Sequence, residues 1–314
     1  MKLYFMLVRR VPPVPSPVLV EVFDILARRG FQIETGIAEE MVTRPDWLTV
    51  RHDLYLLKSH TELSLSLAGI LHAQGARLLN PYLHCIAAQN KIVASRRLRA
   101  AGVPTPRSWV TGDLSLLRPL VAEQPLIVKP YRGHRGAGIY IARNPDELSA
   151  VPASETPMLV QEFIQGNGED LKVYVVGREV FAVRKPFSPT SFTRPGRPCP
   201  VSAEVRHIAR RCGQIFGLGL YGLDVIEGPD GPVVVDLNYF PGYKGVPDIS
   251  PLIAAYIEDY ARGRVTLDLP EPALPAGLGD RPAAVWPEPV LAAPGIVKPQ
   301  SRNGSTGPVA TGTA

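Results

Sequence analysis

The stretch GLDVIEGPDGPVVVDLN, residues 222–238, places two apolar runs on either side of the turn signal EGPDGP. Apolar alternation flanking Pro, Asp and Gly predicts a β-hairpin. With the turn centred on Asp230, residues equidistant from it face each other, so Asp224 lies opposite Asp236 across an antiparallel pair. Two carboxylates held this way repel each other. Asn238 is two residues past Asp236 and shares its face, so three oxygen donors converge on one spot. That is the outline of a magnesium site, because magnesium takes a few hard oxygen ligands from protein and completes its octahedron with water and phosphate. A solvated, Asp-rich hairpin is the plainer alternative, and the Val, Ile and Leu flanking both acids argue against it.

Working outward, residues 166–264 read as an α+β unit. DLKVYVVG and REVFAVRKP form a second hairpin about Gly177-Arg178, a helix lies near 202–216, and 247–263 closes the unit as a helix. The hairpin pairing sets Asp170, Lys172, Val183 and Lys185 on one face, with Arg184 pointing the other way. Two lysines near one carboxylate are either a salt-bridged surface or a patch for an anionic acceptor. Upstream, residues 89–165 form another α+β unit. It contains a helix capped by Asn90, the rigid Val103-Pro104-Thr105-Pro106 connector, the strand PLIVKP, the glycine-rich RGHRGAG (132–138), a helix opened by Asn144-Pro145, and the strand MLVQEFI. Residues 1–88 repeat β-α-β grammar, with strands at 2–8, FQIETGI, DLYLLKS and RLLN, and a helix capped by Thr61. The tail, 265–314, contains nine prolines and lacks periodicity, so it is expected to stay outside the fold as a disordered segment.

Composition narrows the partners. The 314 residues are 45% apolar and 20% charged, with a formal charge of +5. Only eight of the 34 basic residues are lysines. A basic balance favours anionic partners, and without an aromatic-interleaved basic run the expectation is phosphorylated or otherwise anionic small molecules rather than nucleic acid. The three cysteines form no C-x-x-C pair, which excludes a disulfide framework and a thiolate zinc site and makes a reducing cytoplasm the expected home. The start MKLYFMLVRR has no small-residue cleavage site and reads as a strand, and no apolar run reaches membrane-spanning length.

Lys129 ends an apolar strand and runs straight into a loop with Gly133, Gly136 and Gly138, whose N–H groups can approach phosphate oxygens. By itself this is equally a plain glycine turn with a surface lysine. It lacks a GK[ST] ending and no HRD or DFG triplet occurs, so neither a P-loop nor a protein kinase is encoded. Lys91 lies in the first turn of a helix, where a cation gains nothing from the macrodipole. Lys58 ends a strand of the first layer, where ligands of open α/β sheets gather. His134 sits within the glycine loop, either touching substrate or in solvent.

In this order, Lys129, the glycine loop, the VQEFI strand and Asp224/Asp236/Asn238 resemble the ATP-grasp superfamily over residues 1 to about 263. The resemblance implies two α+β subdomains clasping ATP behind an N-terminal parallel α/β layer. It implies that Lys91, Lys129, Gly133, Gly136 and Gly138 meet nucleotide phosphates, that the segment Gln161, Glu162, Phe163 and Ile164 meets the adenine, that Asp170 lies on the nucleotide side, and that Asp224, Asp236 and Asn238 hold Mg2+. VVDLNYFPGYKGV is similar to the end of the inositol 1,3,4-trisphosphate 5/6-kinase family, and His134 and the Lys172, Arg184 and Lys185 set resemble that family's phosphate-clamping residues. The kinase branch is therefore placed first, with Lys58, His134, Lys172, Lys185, Gly242 and Lys244 about a small anionic acceptor. RimK-like ligases stand next. Their Arg-Asn-Gly-Gly signature is missing from SPTSFTRPGRPCP, yet Lys185 stands where the kinases carry arginine, Lys244 replaces an acid, and AAGVPTP reads equally like the ligases. Either chemistry begins with phosphoryl transfer from magnesium-ATP. An alcohol acceptor ends it as a kinase, whereas a carboxylate gives an acyl phosphate that an amine captures. A non-catalytic ATP-binding module is disfavoured because all three metal-ligand candidates are present.

Overall fold

Strand β1 (Lys2–Leu7) pairs in parallel with β2 (Gln32–Ile37) on one side and β3 (Leu54–Leu57) on the other, and β4 (Leu78–Leu79) completes the order β2-β1-β3-β4. This is a computed structural model, and it describes residues 1–10, 16–133, 138–186 and 196–267. All four residues of β3 are buried, the mark of a parallel strand covered on both faces. Helix α1 (Pro17–Arg28) starts where the Ser16 hydroxyl accepts from the Leu19 N–H, and Gly30 turns the chain back at φ 85°. Thr61 caps α2 (Glu62–Ala73) in the same way, as its sequence predicts. A short helix not foreseen in the sequence, α3 (Tyr82–Gln89), fills the approach to α4 (Lys91–Ala100), whose cap Asn90 accepts from the Ile92 and Val93 N–H groups.

The second sheet is antiparallel, in the order β5 (Ser108–Thr111), β8 (Met158–Glu162), β6 (Leu126–Pro130), β7 (Tyr140–Ala142). Helices α5 (Arg118–Glu123) and α6 (Pro145–Ser149) pack together beside it. The third sheet has the order β11 (Arg197–Cys199), β10 (Glu179–Pro186), β9 (Glu169–Val176), β12 (Leu220–Gly228), β13 (Gly231–Tyr239), again antiparallel. Helix α7 (Ala203–Phe216) buries Val205, Ile208, Ala209, Cys212 and Phe216, one helical stripe, and ends at a left-handed Gly217. The closing helix α8 (Ile249–Ala261) packs on α1.

Side chains join the first and third sheets. Buried Asn80 donates to the Leu220 carbonyl at 2.7 Å and accepts from the Gly219 and Leu220 N–H groups at 2.9 and 3.1 Å. The Tyr239 hydroxyl donates to the Ser59 carbonyl at 2.7 Å. Along the outer edge of β13, the connector's Pro104 carbonyl accepts from the Val234 N–H, and Thr105 donates to the Val234 carbonyl.

Both predicted hairpins form. Around Gly177-Arg178 the register runs from Glu179↔Val176 to Lys185↔Asp170 as expected. The β12–β13 hairpin differs in detail. Gly228 pairs with Gly231, so the turn holds two residues and is not centred on Asp230. Asp224 nevertheless faces Asp236, because a bulge at Val235 inserts one residue between the pairs Val225↔Val234 and Asp224↔Asp236.

Candidate active site

One face of the third sheet gathers the charged candidates. Lys172 on β9 lies beside Asp224 on β12 in the strand register, and its ammonium reaches Asp224 at 2.8 Å and Asp170 at 3.4 Å. Burial alone pushes Lys172 toward neutrality, but the two carboxylates more than reverse this and it holds its proton above the ordinary lysine range. Burial raises Asp170, with Lys172 opposing. Lys185, paired with Asp170 across the hairpin, is only 5% exposed, and burial together with Lys172 and Lys244 pulls its pKa down. Lys172 and Lys244 thus both act on Lys185. Tyr174 joins them, its phenol pushed up to about 12 by burial with Asp224 nearby.

Two lysines arrive from outside the sheet. Lys91, at the start of α4, forms an ion pair with Asp236. Lys129, at the end of β6, is buried and donates to the Val235 carbonyl at 2.9 Å, the residue that the bulge leaves without a ladder partner. Burial lowers Lys129 to about 8, with Asp236 resisting and Lys91 adding to the fall. Asp236 itself is pushed up by burial, yet Lys91 and Lys129 hold it below the usual carboxylate value. Asn238 donates to Asp236 at 3.4 Å, which confirms the shared face. Among the described residues no three of His, Cys, Asp and Glu come together as a metal-binding group.

The remaining candidates are spread around this centre. Buried Gln161 donates to Ser108, and Glu162 is fixed by Arg107 through a backbone N–H at 2.8 Å and a guanidinium at 2.6 Å. The Phe163 N–H donates to the Pro125 carbonyl, and Ile164 packs near Gly228 of the β12–β13 turn. Lys58 lies 5.3 Å from the Phe240 ring centroid, and Gly242 adjoins Lys244. Arg184 occupies the opposite face, ion-paired to Glu227 at 2.5 Å, apart from the other cations. Gly133 and Gly138 flank the glycine loop, whereas His134 and Gly136 lie outside the described residues. Sequence reasoning missed Asn80, Gln89 and the stacked pair His60–Tyr239, whose centroids are 4.0 Å apart. Nothing in local periodicity marks these residues, because their partners are distant in the chain.

A parallel layer joined to two antiparallel sheets, with Lys129 of the second sheet reaching the Val235 carbonyl of the third and Lys91 of α4 reaching its Asp236, is the ATP-grasp arrangement. A RimK domain ATP-grasp protein from Sphaerobacter thermophilus superposes with a TM-score of 0.69 at 20% identity, covering 82% of this chain and 99% of that one. The ligase PsnB, complexed with a minimal precursor, gives 0.59 at 22% identity over 82% and 98% of the two chains. The family profile described as the RimK-like ATP-grasp domain matches residues 88–258, and the chain belongs to that family. A probable alpha-L-glutamate ligase of Methanococcoides burtonii is 30% identical over 207 residues, 59% of this chain and 68% of that protein. Beta-citrylglutamate synthase B of Danio rerio is 28% identical over 224 residues, 65% of this chain. The chain spans 54% of that synthase's length and 62% of mouse N-acetylaspartylglutamate synthase A. The order of branches expected from the aromatic-Pro-Gly-Tyr ending is thereby corrected: the RimK-like branch takes precedence over the inositol-phosphate kinase branch. That ending is a loop signal of a few residues, and the match over 88–258 outweighs it.

Proposed function

We propose that the chain is an ATP-dependent carboxylate–amine ligase. The carrying observation is the single face on which Asp224, Asp236 and Asn238 meet Lys91 and Lys129, with Lys172, Lys185 and Lys244 beside them. The donor set suits Mg2+ and a polyphosphate, because it offers hard oxygens for the metal and ammonium groups for the phosphates. Magnesium-ATP, when bound, supplies the phosphoryl group that activates a carboxylate. Lys91 and Lys129 would hold phosphate oxygens, and Asp224, Asp236 and Asn238 the metal. Of the amides at 162–164, those of Glu162 and Phe163 are engaged by the Arg107 and Pro125 carbonyls, so among the described residues the Ile164 amide would be the one to meet the adenine edge. Lys172, Lys185 and Lys244 supply the field for an anionic acceptor, with Lys58 and Gly242 at its margin. On this reading the three sheets would serve as an N-terminal layer (1–88), a central subdomain (89–165) and a C-terminal subdomain carrying the metal site (166–264).

The relatives favour a carboxylate over a polyol as acceptor, since they are named as glutamate ligases and synthases of glutamate conjugates. In the second half-reaction the amine nitrogen attacks the acyl carbon. The C–N bond forms as the C–O bond to phosphate breaks, orthophosphate leaves with the electron pair, and the nitrogen's proton passes to water. Incubation with magnesium-ATP and two libraries, amino and carboxylic acids against inositol phosphates, tests this. Phosphate release tied to an amide product is expected; ADP formation without free phosphate and with a new phosphoester would identify a kinase instead.

A further inference from the structure

A cavity of about 270 Å³ opens between the N-terminal layer and the edge of the third sheet, lined by His60, Glu62, Gln89, Arg132, Asn238 and Tyr239. Lys91 also borders it. Its size falls just below the ~300 Å³ at which pockets begin to enclose whole drug-sized ligands, so it has room for a small molecule beside the phosphates that Lys91 and Gly133 would hold. Much of the lining is already committed. Gln89 donates to the His60 carbonyl at 2.7 Å and accepts from Tyr239 at 3.0 Å, and His60 stacks on the Tyr239 ring, so one wall is a fixed aromatic plate. Arg132 differs. One guanidinium nitrogen donates to Glu62 at 2.7 Å, while its buried Nε has no hydrogen-bond partner. That Nε is closed off, but the side chain is 37% exposed and lines the cavity, so the rest of its planar fork, with Glu62 on one nitrogen, can meet a second carboxylate there.

Strand order shows which substrate would fit here. On the third sheet Lys185 lies on β10, Lys172 on β9, Asp224 on β12, and Asp236 with Asn238 on β13. The cations assigned to the acceptor therefore occupy one flank of the carboxylate pair. The cavity, bordered by Asn238 and Tyr239 of the edge strand β13, occupies the other. A ligase holds two substrates at once, the carboxylate whose carbon is activated and the amine that attacks that carbon.

We propose that this cavity is the amine-substrate subsite, binding a small α-amino acid with its α-carboxylate on Arg132 and its amine at the Asn238 end; the assignment rests on the ligase reading above. Binding of L-glutamate and of its α-amide, isoglutamine, to the protein loaded with magnesium-ADP tests it by calorimetry. Deleting one charge-assisted contact should cost roughly ten- to a hundredfold, so wild type should prefer glutamate by that factor. Arg132→Met should erase the preference and Arg132→Lys restore part of it. A variant that weakens both ligands alike, keeping the preference, would mean that Arg132 is structural and would overturn the proposal. So would a wild type that binds magnesium-ADP but treats the two ligands equally, which leaves the nucleotide reading intact. Failure to bind magnesium-ADP overturns both readings together.

Discussion

Lys172 stands between two carboxylates on neighbouring positions of one sheet face, at 2.8 Å from Asp224 and 3.4 Å from Asp170. Replacing it by Met strips Asp224 of its paired ammonium and leaves Asp170 with the field of Lys185 alone, where the lysine side chain is 20% exposed. The expected loss is about 2–3 kcal/mol, somewhat under the ~3–5 kcal/mol of a fully buried pair. Magnesium chloride alone should return part of that loss, and should stabilise wild type less, because a divalent cation takes over the missing charge. Chemical denaturation with and without magnesium decides the matter; equal magnesium effects in both proteins would rule out a metal at Asp224. The alignment of Asp224, Asp236 and Asn238 could be read from strand parity alone. The lysine attached to each acid could not, because Lys91 is 145 residues from Asp236 and no local period spans that separation.

At the scale of elements, the loop after β13 carries unusual backbone. Phe240 and Tyr243 adopt left-handed φ values of 37° and 50°, and both rings are buried, Tyr243 donating to the Val175 carbonyl at 2.9 Å. Such conformations cost of order 1–3 kcal/mol each and persist where packing over-determines them. Gly245 follows at φ 88°, and a Cβ there would lie 2.4 Å from the Gly196 carbonyl oxygen. Gly245→Ala should therefore cost at least ~2 kcal/mol through strain and clash together. A thermal midpoint equal to wild type would show that the loop yields freely. The 170–185 register was legible because a two-residue turn dictates it. The β12–β13 register was legible at Asp224 and Asp236 for a different reason, since a tighter turn and the Val235 bulge offset each other. The short elements α3, β5 and β11 escaped notice because a few residues show neither a helical nor a strand period.

Across the whole molecule, Asn80 is the chief stitch between the N-terminal layer and the third sheet. Asn80→Ala takes the side-chain acceptor from two buried N–H groups, those of Gly219 and Leu220, while the Leu220 carbonyl keeps the Phe240 N–H. At ~1–3 kcal/mol per orphaned group, partly relieved by relaxation, the loss should reach at least ~2 kcal/mol. Urea unfolding measures it, and a change under half of that would mean the joint is held elsewhere. Removing 270–314 should leave both the unfolding midpoint and nucleotide binding unchanged, because the sequence there offers no apolar period to pack. A truncated chain without a cooperative transition would contradict this. Because Asp236 already sits on Lys91 and Asp224 on Lys172, a bare divalent cation meets acids that have counter-ions, and it must displace an ammonium to enter. A cation arriving with a polyphosphate brings the displaced ammonium groups a new anion. Metal and nucleotide should then bind with positive cooperativity, and by reciprocity the factor by which either tightens the other is one and the same.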